Sequence, residues 1–330
     1  MNAIQVLHVD SAIEWRGGQQ QLQYLLEARP EDAWAGVPDS PLAGRLGAPQ
    51  IPLLPGADPR NLLRIRQGAA RLGARVIAAH TPHAHGLALA AGRPVIVHRR
   101  VDFTPNHPWK YRMADGFVAV SGAVARVLVA AGVRPERVVV VHDGVPLRPP
   151  GRPVLDGPSP RFGAIGALVA HKGHRFLVDA MRQLPGTLYI AGEGPLRPAL
   201  ERQIRELGLT GRVHLLGHRD DVADLLASID LFVHPSVEEG LGQVVIEALG
   251  ANCRVVATRA GGLPEVIDGV GVLVEPGQSM ALIAGVQAAL ARSGGGEKER
   301  AARFSVPTMV KGTAEAYTML LQRLGRRSTL

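Results

Sequence analysis

Cysteine is all but missing. Cys253 is alone in 330 residues, so no disulfide within the chain contributes to its fold and a reducing cytoplasm is the expected home. No apolar run approaches the roughly 18 residues of a membrane-spanning helix. The N-terminus also lacks the basic stretch, apolar core and small-residue cleavage site of a secretory signal. A soluble protein is expected, with attachment to a membrane surface left open. Aromatic residues are scarce too, 4% against 46% hydrophobic overall. With Ala, Val, Leu and Gly prominent, that balance suits packed parallel strands and helices and excludes disorder.

Lysine is the remaining scarcity. Only four of the 37 cations are Lys, and the formal charge of +8 divides as 17 Arg/Lys against 11 Asp/Glu over residues 1–150 and 20 against 18 over residues 151–330. A basic first half fits an anionic partner, although an Arg-rich genome composition explains the same excess. Nucleic acid is not expected, because no helix-turn-helix, zinc-finger or aromatic RNA-binding motif interleaves with the arginines.

At this length the chain fits two domains better than one core. In the first half, strand-like runs at 5–9, 75–79, 95–97 and 117–120 alternate with helical stretches, while the proline-rich stretch 30–60 reads as short strands and exposed loops. Residues 135–145 read as a buried strand ending in Asp-Gly, and 148–160, dense in Pro and Gly, as a linker. The second half repeats the alternation, with strands at 161–165, 187–190, 213–215, 231–233, 254–257 and 271–274 and helical patterns between them. Such alternation gives parallel sheets with crossover helices. The fold class is therefore α/β: two doubly wound Rossmann-like domains, 1–147 and 161–305, facing across a cleft where strand C-termini meet ligand. A last segment, 306–330, is amphipathic, with Met309, Tyr317, Leu320 and Leu324 at helical spacing.

The most informative stretch is 232–267. A strand end breaks at Pro235 into a glycine-punctuated turn, and a helix follows at once. Glu239 lies in that turn and Glu247 eight positions later, a little over two helical turns, so both carboxylates can line one cleft. Backbone N–H groups at the helix start suit a phosphate or a sugar hydroxyl.

Other strand ends carry usable groups. Gly17 and Gly18 open a helix after the first strand, which reads either as a nucleotide or substrate loop or as a tight turn. Ser121 fits a helix N-cap. Lys172, beside a helix start, suits an anionic oxygen. Gly192 and Gly194 allow close approach to a flat ligand. His218 and Arg219 follow a further strand, and one of Asp220 or Asp221 is expected to cap the next helix. The cluster HTPHAH places His80, His83 and His85 at i, i+3 and i+5. A metal-dependent hydrolase is the sharp alternative built on it, but a helix from Pro82 would point the three rings apart. Structural roles are expected for His83 and His85, and a functional role for the strand-ending His80.

Taken together, LYIAGEGP, LLGHRDDV, DLFVHPS and EGLGQVVIE followed by AGGLPEVI resemble the donor-binding half of the family 4 retaining glycosyltransferases of the GT-B fold. GGQQQLQYLL, HTPHAHGLAL, AVSGAVARVL and HDGV resemble the other, acceptor half of that family. The resemblance implies transfer of a hexose-type sugar from a nucleotide diphosphate sugar to a hydroxyl of a glycan or glycolipid, with the anomeric configuration kept. It implies no cofactor and no metal. His80, Lys172 and Glu239 would be catalytic: His80 near the reacting sugar, Lys172 on the diphosphate, Glu239 on the transferred sugar. Gly240, Leu241 and Gly242 would assist Glu239, and Glu247 would hold the ribose. Gly17 and Gly18 would approach the diphosphate or acceptor, and Gly192, Gly194, His218 and Arg219 would border the base. The family also implies that the last helix packs back on the first domain, and that lipopolysaccharide-type assembly occurs at the inner face of the cytoplasmic membrane. Ala167 stands where the family often has Arg. Within the fold, a sugar-nucleotide epimerase acting on donor alone is the close rival.

Overall fold

The computed structural model describes residues 5–104, 108–149 and 151–325. Two compact units divide the chain, Met1–Gly144 with Val306–Leu330, and Val145–Ser305.

The first unit is built on a seven-stranded sheet. Its strands are β1 (Val6–Val9), β2 (Ala33–Gly36), β3 (Ile51–Pro52), β4 (Val76–Ala79), β5 (Val95–Arg99), β6 (Gly116–Ala119) and β7 (Val138–Val140), in spatial order β3-β2-β1-β4-β5-β6-β7. Every pairing is parallel. Parallel strands buried on both faces read as continuous apolar runs, which is why VLHV and VIAA are wholly buried. The long helix Val306–Gly325 lies against this sheet. Ala316, Tyr317 and Leu320 enter a core with Val6, Val76, Ala78, Ile96 and Val118.

Residues 135–145 do not form a buried strand: Pro135–Arg137 is a turn of 3-10 helix, and β7 is an edge strand with Val140 41% exposed. An edge strand has a neighbour on one side only, so its side chains stay partly in water. The stretch 30–60 is not simply exposed either. β2 is wholly buried, and Trp34 packs with Leu22 and Leu42 in a small core of its own.

The second unit carries a six-stranded parallel sheet of β8 (Arg161–Ile165), β9 (Thr187–Ala191), β10 (Val213–Gly217), β11 (Leu231–His234), β12 (Val255–Thr258) and β13 (Val272–Val274), in order β10-β9-β8-β11-β12-β13. Residues 148–160, read as a linker, are tied down against this unit. Arg152 N donates to Asp224, and Val154 N to Ser228 Oγ. The turn after the helix Gln243–Gly250 is closed by Asn252 at φ 64°, a left-handed conformation that Asn tolerates better than most residues.

In each sheet the strand order reverses at one point, between β1 and β4 in the first and between β8 and β11 in the second. At such a point the loops beyond the two strand ends diverge and leave a crevice, the usual ligand position in doubly wound sheets.

Candidate functional site

In the second unit the crevice-forming loops follow β8 and β11. The first runs through a 3-10 turn, Ala170–Lys172, and turns at Gly173, whose φ is 68°. A Cβ on Gly173 would stand 2.0 Å from Pro235 O, so only glycine lets the two loops lie together. Val237 N donates to His171 O at 2.7 Å across the same contact.

This packing brings Lys172 to Glu239. Lys172 Nζ lies 2.6 Å from Glu239 Oε2, with side-chain exposures of 20% and 12%. The same oxygen faces His234 Nε2 at 2.8 Å and accepts from Ser236 Oγ at 3.2 Å. Burial opposes ionisation of Glu239, but His234 and Lys172 outweigh it and hold the carboxyl well below the usual carboxylate range. His234 is itself buried, which keeps its pKa below the ordinary histidine value despite Glu239. The cluster is thus an anion with an ammonium beside it, able to face hydroxyl donors and a phosphate at one crevice.

Gly240, Leu241 and Gly242 are buried, and Gly242 at φ 97° starts the helix Gln243–Gly250. Glu247 sits on that helix, half-buried. Burial raises its pKa, and Arg148 opposes the rise.

Gly192 and Gly194 are explained within the chain. A Cβ on Gly192 would meet Gly166 O at 2.0 Å, and one on Gly194 would meet Leu168 O at 2.6 Å. They pack the loop after β9 onto the loop that carries Lys172. His218 is 75% exposed beside Asp220. Arg219 Nε donates to Asp221 Oδ1 at 2.7 Å. The expected cap on the helix Val222–Ser228 is absent, since Asp221 occupies the N-cap position without a capping bond and its carboxylate is taken by Arg219.

In the first unit, His80 follows β4 and Gly17 and Gly18 open the helix Gly17–Ala28 after β1. Asp10 holds that entry by accepting from Ala12 N and from Gln19 Nε2. Ser121 caps its helix through Val124 N at 3.2 Å. The three histidines of HTPHAH part company. His83 is exposed, while His85 is buried edge-on to Tyr111 with its pKa pushed down to about 4 by burial. His80 turns instead to other histidines: its Nε2 is 2.9 Å from His8 Nδ1, and its ring stacks on His98 at 4.4 Å. The three rings thus lie in three different environments, an arrangement that lends the hydrolase reading no support. Among the described residues no group of three His, Cys, Asp or Glu side chains is placed to hold a metal ion.

The sequence reading missed His8, Asp32, His98, Arg100, Ser236, His234 and Tyr317 as parts of these clusters. A signal existed for three of them, a lone histidine inside an otherwise apolar strand, as in VLHV, VIVHR and LFVH.

Two parallel doubly wound sheets, each with a polar cluster at its reversal point, constitute the GT-B architecture. Solved structures share this fold: the Anabaena protein Alr3699/HepE, solved with UDP, superposes with a TM-score of 0.75 at 23% identity over 99% of this chain and 100% of that one. Residues 159–292 match the family described as Glycosyl transferases group 1, and residues 27–148 match Glycosyltransferase Family 4, so a match to a glycosyltransferase family falls on each unit. Among curated relatives, the lipopolysaccharide core biosynthesis glycosyltransferase LpsE of Rhizobium meliloti (strain 1021) is 38% identical over 34% of this chain and 34% of its own length. The 2-deoxystreptamine glucosyltransferase of Streptomyces kanamyceticus is 30% identical over 60% of this chain and 58% of its own. The chain thus spans between about a third and three fifths of these two relatives. Among the described residues no helix is long and apolar enough to cross a membrane.

Proposed function

We propose that this protein is a glycosyltransferase that moves a hexose-type sugar from a nucleoside diphosphate sugar to a hydroxyl of a glycan or glycolipid with retention of configuration. The observation that carries the reading is the Lys172–Glu239–His234 cluster at the reversal point of the second sheet. As the bond from the anomeric carbon to the diphosphate stretches, negative charge grows on the leaving phosphate, and a fixed ammonium there lowers the barrier. Positive charge grows on the sugar, and a carboxylate held ionised by its neighbours tolerates it. Lys172 therefore takes the diphosphate and Glu239 the transferred sugar, with the main chain of Gly240 to Gly242 beside it. Glu247 takes the ribose hydroxyls, and His218 and Arg219 border the base.

This chemistry calls on no metal or cofactor, the nucleotide sugar being a substrate. His80 with Gly17 and Gly18 belongs to the substrate-facing edge of the first sheet. A glycolipid acceptor at the inner face of a bacterial membrane fits the lipopolysaccharide relative and the basic first half. UDP-glucose heads the candidate donors, since the Anabaena protein was also solved with it.

The test is a panel of UDP-, GDP-, ADP- and TDP-sugars, read as thermal shift and as nucleotide release with and without cell-extract acceptors. Stabilisation by one nucleotide class, with release that depends on acceptor, is expected. Conversion of the sugar without acceptor would point to an epimerase, and no stabilisation or turnover by any donor would refute the assignment.

A further inference from the structure

His8 and His80 of the first unit form a chain whose direction is fixed at both ends. Arginine can only donate hydrogen bonds, and an ionised carboxylate can only accept them. At one end Asp32 accepts from Val6 N at 2.9 Å and from Arg29 Nε at 2.6 Å. Burial opposes its ionisation, but His8 and Arg29 outweigh burial and keep the carboxyl below its ordinary value. His8 Nε2 faces Asp32 Oδ2 at 3.3 Å and so carries a hydrogen; at the other end Arg100 can only donate to His80 Nδ1, which puts the His80 hydrogen on Nε2 and makes His8 Nδ1 its acceptor. His8 Nδ1 and His80 Nε2 lie 2.9 Å apart. Arg100 Nη1 donates to His80 Nδ1 at 3.3 Å.

The two ends together set the His80 tautomer. Burial keeps His80 neutral, with its pKa well below the ordinary value. Its ring plane is held by the stack on His98, whose Nε2 meets the Tyr317 hydroxyl at 2.7 Å.

The two nitrogens of His80 are not equivalent. Nε2 points to His8, which is wholly buried. Nδ1 points to Arg100, whose side chain is 14% exposed, is also held by Asp143 at 3.0 Å, and passes Gly18 with Cδ 4.0 Å from the position a Cβ there would take. The longer bond is therefore on the side nearer solvent and the glycine pair.

We propose that Asp32 and His8 are positioning residues that lock His80 in its Nε2–H tautomer, so that Nδ1 accepts a hydrogen bond from a substrate hydroxyl in place of Arg100. The tautomer half stands on geometry alone; the hydroxyl half rests on the glycosyltransferase reading. The chain makes His80 selective for a group that can donate, and a ligand offering only acceptor atoms at that point meets a lone pair.

The test uses the full chain labelled with 15N-histidine, with His80 assigned by comparison with His80→Gln. Two-bond proton–nitrogen spectra should give His80 as a single Nε2–H tautomer. Asp32→Asn keeps the shape but lets an amide N–H face His8, and the His80 signals should move to the other tautomer or to a mixture. If that variant does not fold, His8→Asn breaks the same chain and should give a mixture. Wild-type His80 in the Nδ1–H form, or a tautomer unmoved by these variants, overturns the proposal. With the donor that the panel shows to be turned over, Asp32→Asn should lower kcat by about tenfold or more, as a misdirected tautomer does, with donor KM little changed. If His80→Gln leaves turnover intact while Lys172→Ala abolishes it, His80 meets no substrate and the hydroxyl half is refuted with the function standing. If no donor is turned over, the function fails and the spectra still decide the tautomer.

Discussion

Replacing Lys172 by Ala separates a structural ion pair from a ligand-binding one. In the free protein the ammonium lies 2.6 Å from Glu239 Oε2, and both side chains are mostly buried. Removing one partner of a buried pair costs about 3–5 kcal/mol when the other charge is left alone. Glu239 is not left alone, because His234 at 2.8 Å and Ser236 at 3.2 Å still face the same oxygen. The loss should therefore be nearer 2 kcal/mol, which for a unit of this size is about 4–8 °C in Tm. The contribution to binding adds separately. A charge-assisted hydrogen bond to phosphate is worth about 1.5–3 kcal/mol, but Lys172 must first give up part of its contact with Glu239. The net effect on nucleoside diphosphate affinity should be about tenfold.

Thermal denaturation and calorimetric titration with UDP, run on Lys172→Ala, Glu239→Gln and the double variant, make a cycle that reads both quantities. The double variant should recover part of the lost stability, because it removes the stranded charge, but none of the lost affinity. If it regains wild-type nucleotide affinity, Lys172 is only the counter-ion of Glu239 and the diphosphate assignment is wrong. If Lys172→Ala changes neither Tm nor affinity, the whole cluster has been misread.

Glu247→Gln should weaken nucleotide affinity by about tenfold through loss of charge-assisted bonds to ribose. Since burial raises the Glu247 pKa and the ionised form is the acceptor, wild-type affinity should fall as pH drops through that raised value, and the Gln variant should show a flatter profile by titration calorimetry. Gly192→Ala should lose more than about 2 kcal/mol or fail to fold, because φ is 142° and the new Cβ would stand 2.0 Å from Gly166 O; a Tm within about 2 °C of wild type would contradict that geometry. Gly18→Ala should keep Tm, since only Arg100 Cδ lies within 4.0 Å of its Cβ position, yet lower turnover by narrowing the approach. Unchanged turnover would remove Gly18 from the site.

The parallel alternation was legible because strands buried on both faces leave unbroken apolar runs, and the crevice loops were legible because Gly, Pro and charged residues crowd the strand ends. Pairing is where the sequence falls silent. Leu7 pairs with Ala33, which sets Asp32 beside Val6; His8 pairs with Ala78; and Ala79 pairs with Val97, so the next residues along, His80 and His98, come side by side. Positions 8, 32, 80 and 98 thus meet only through sheet order, and Asp32 lies in a stretch whose prolines argued for an exposed loop. The second sheet uses a related arrangement with less distance to span, because His234, Ser236 and Glu239 share one strand end. In both sheets a histidine closes the fourth strand, beside the first strand at the reversal point. In the first sheet a neighbouring strand holds that histidine; in the second the histidine holds a carboxylate. His234, Ser236 and Glu239 lie within six consecutive positions, so sequence alone keeps them near one another, whereas His8 and His80 are 72 residues apart and meet only through strand pairing.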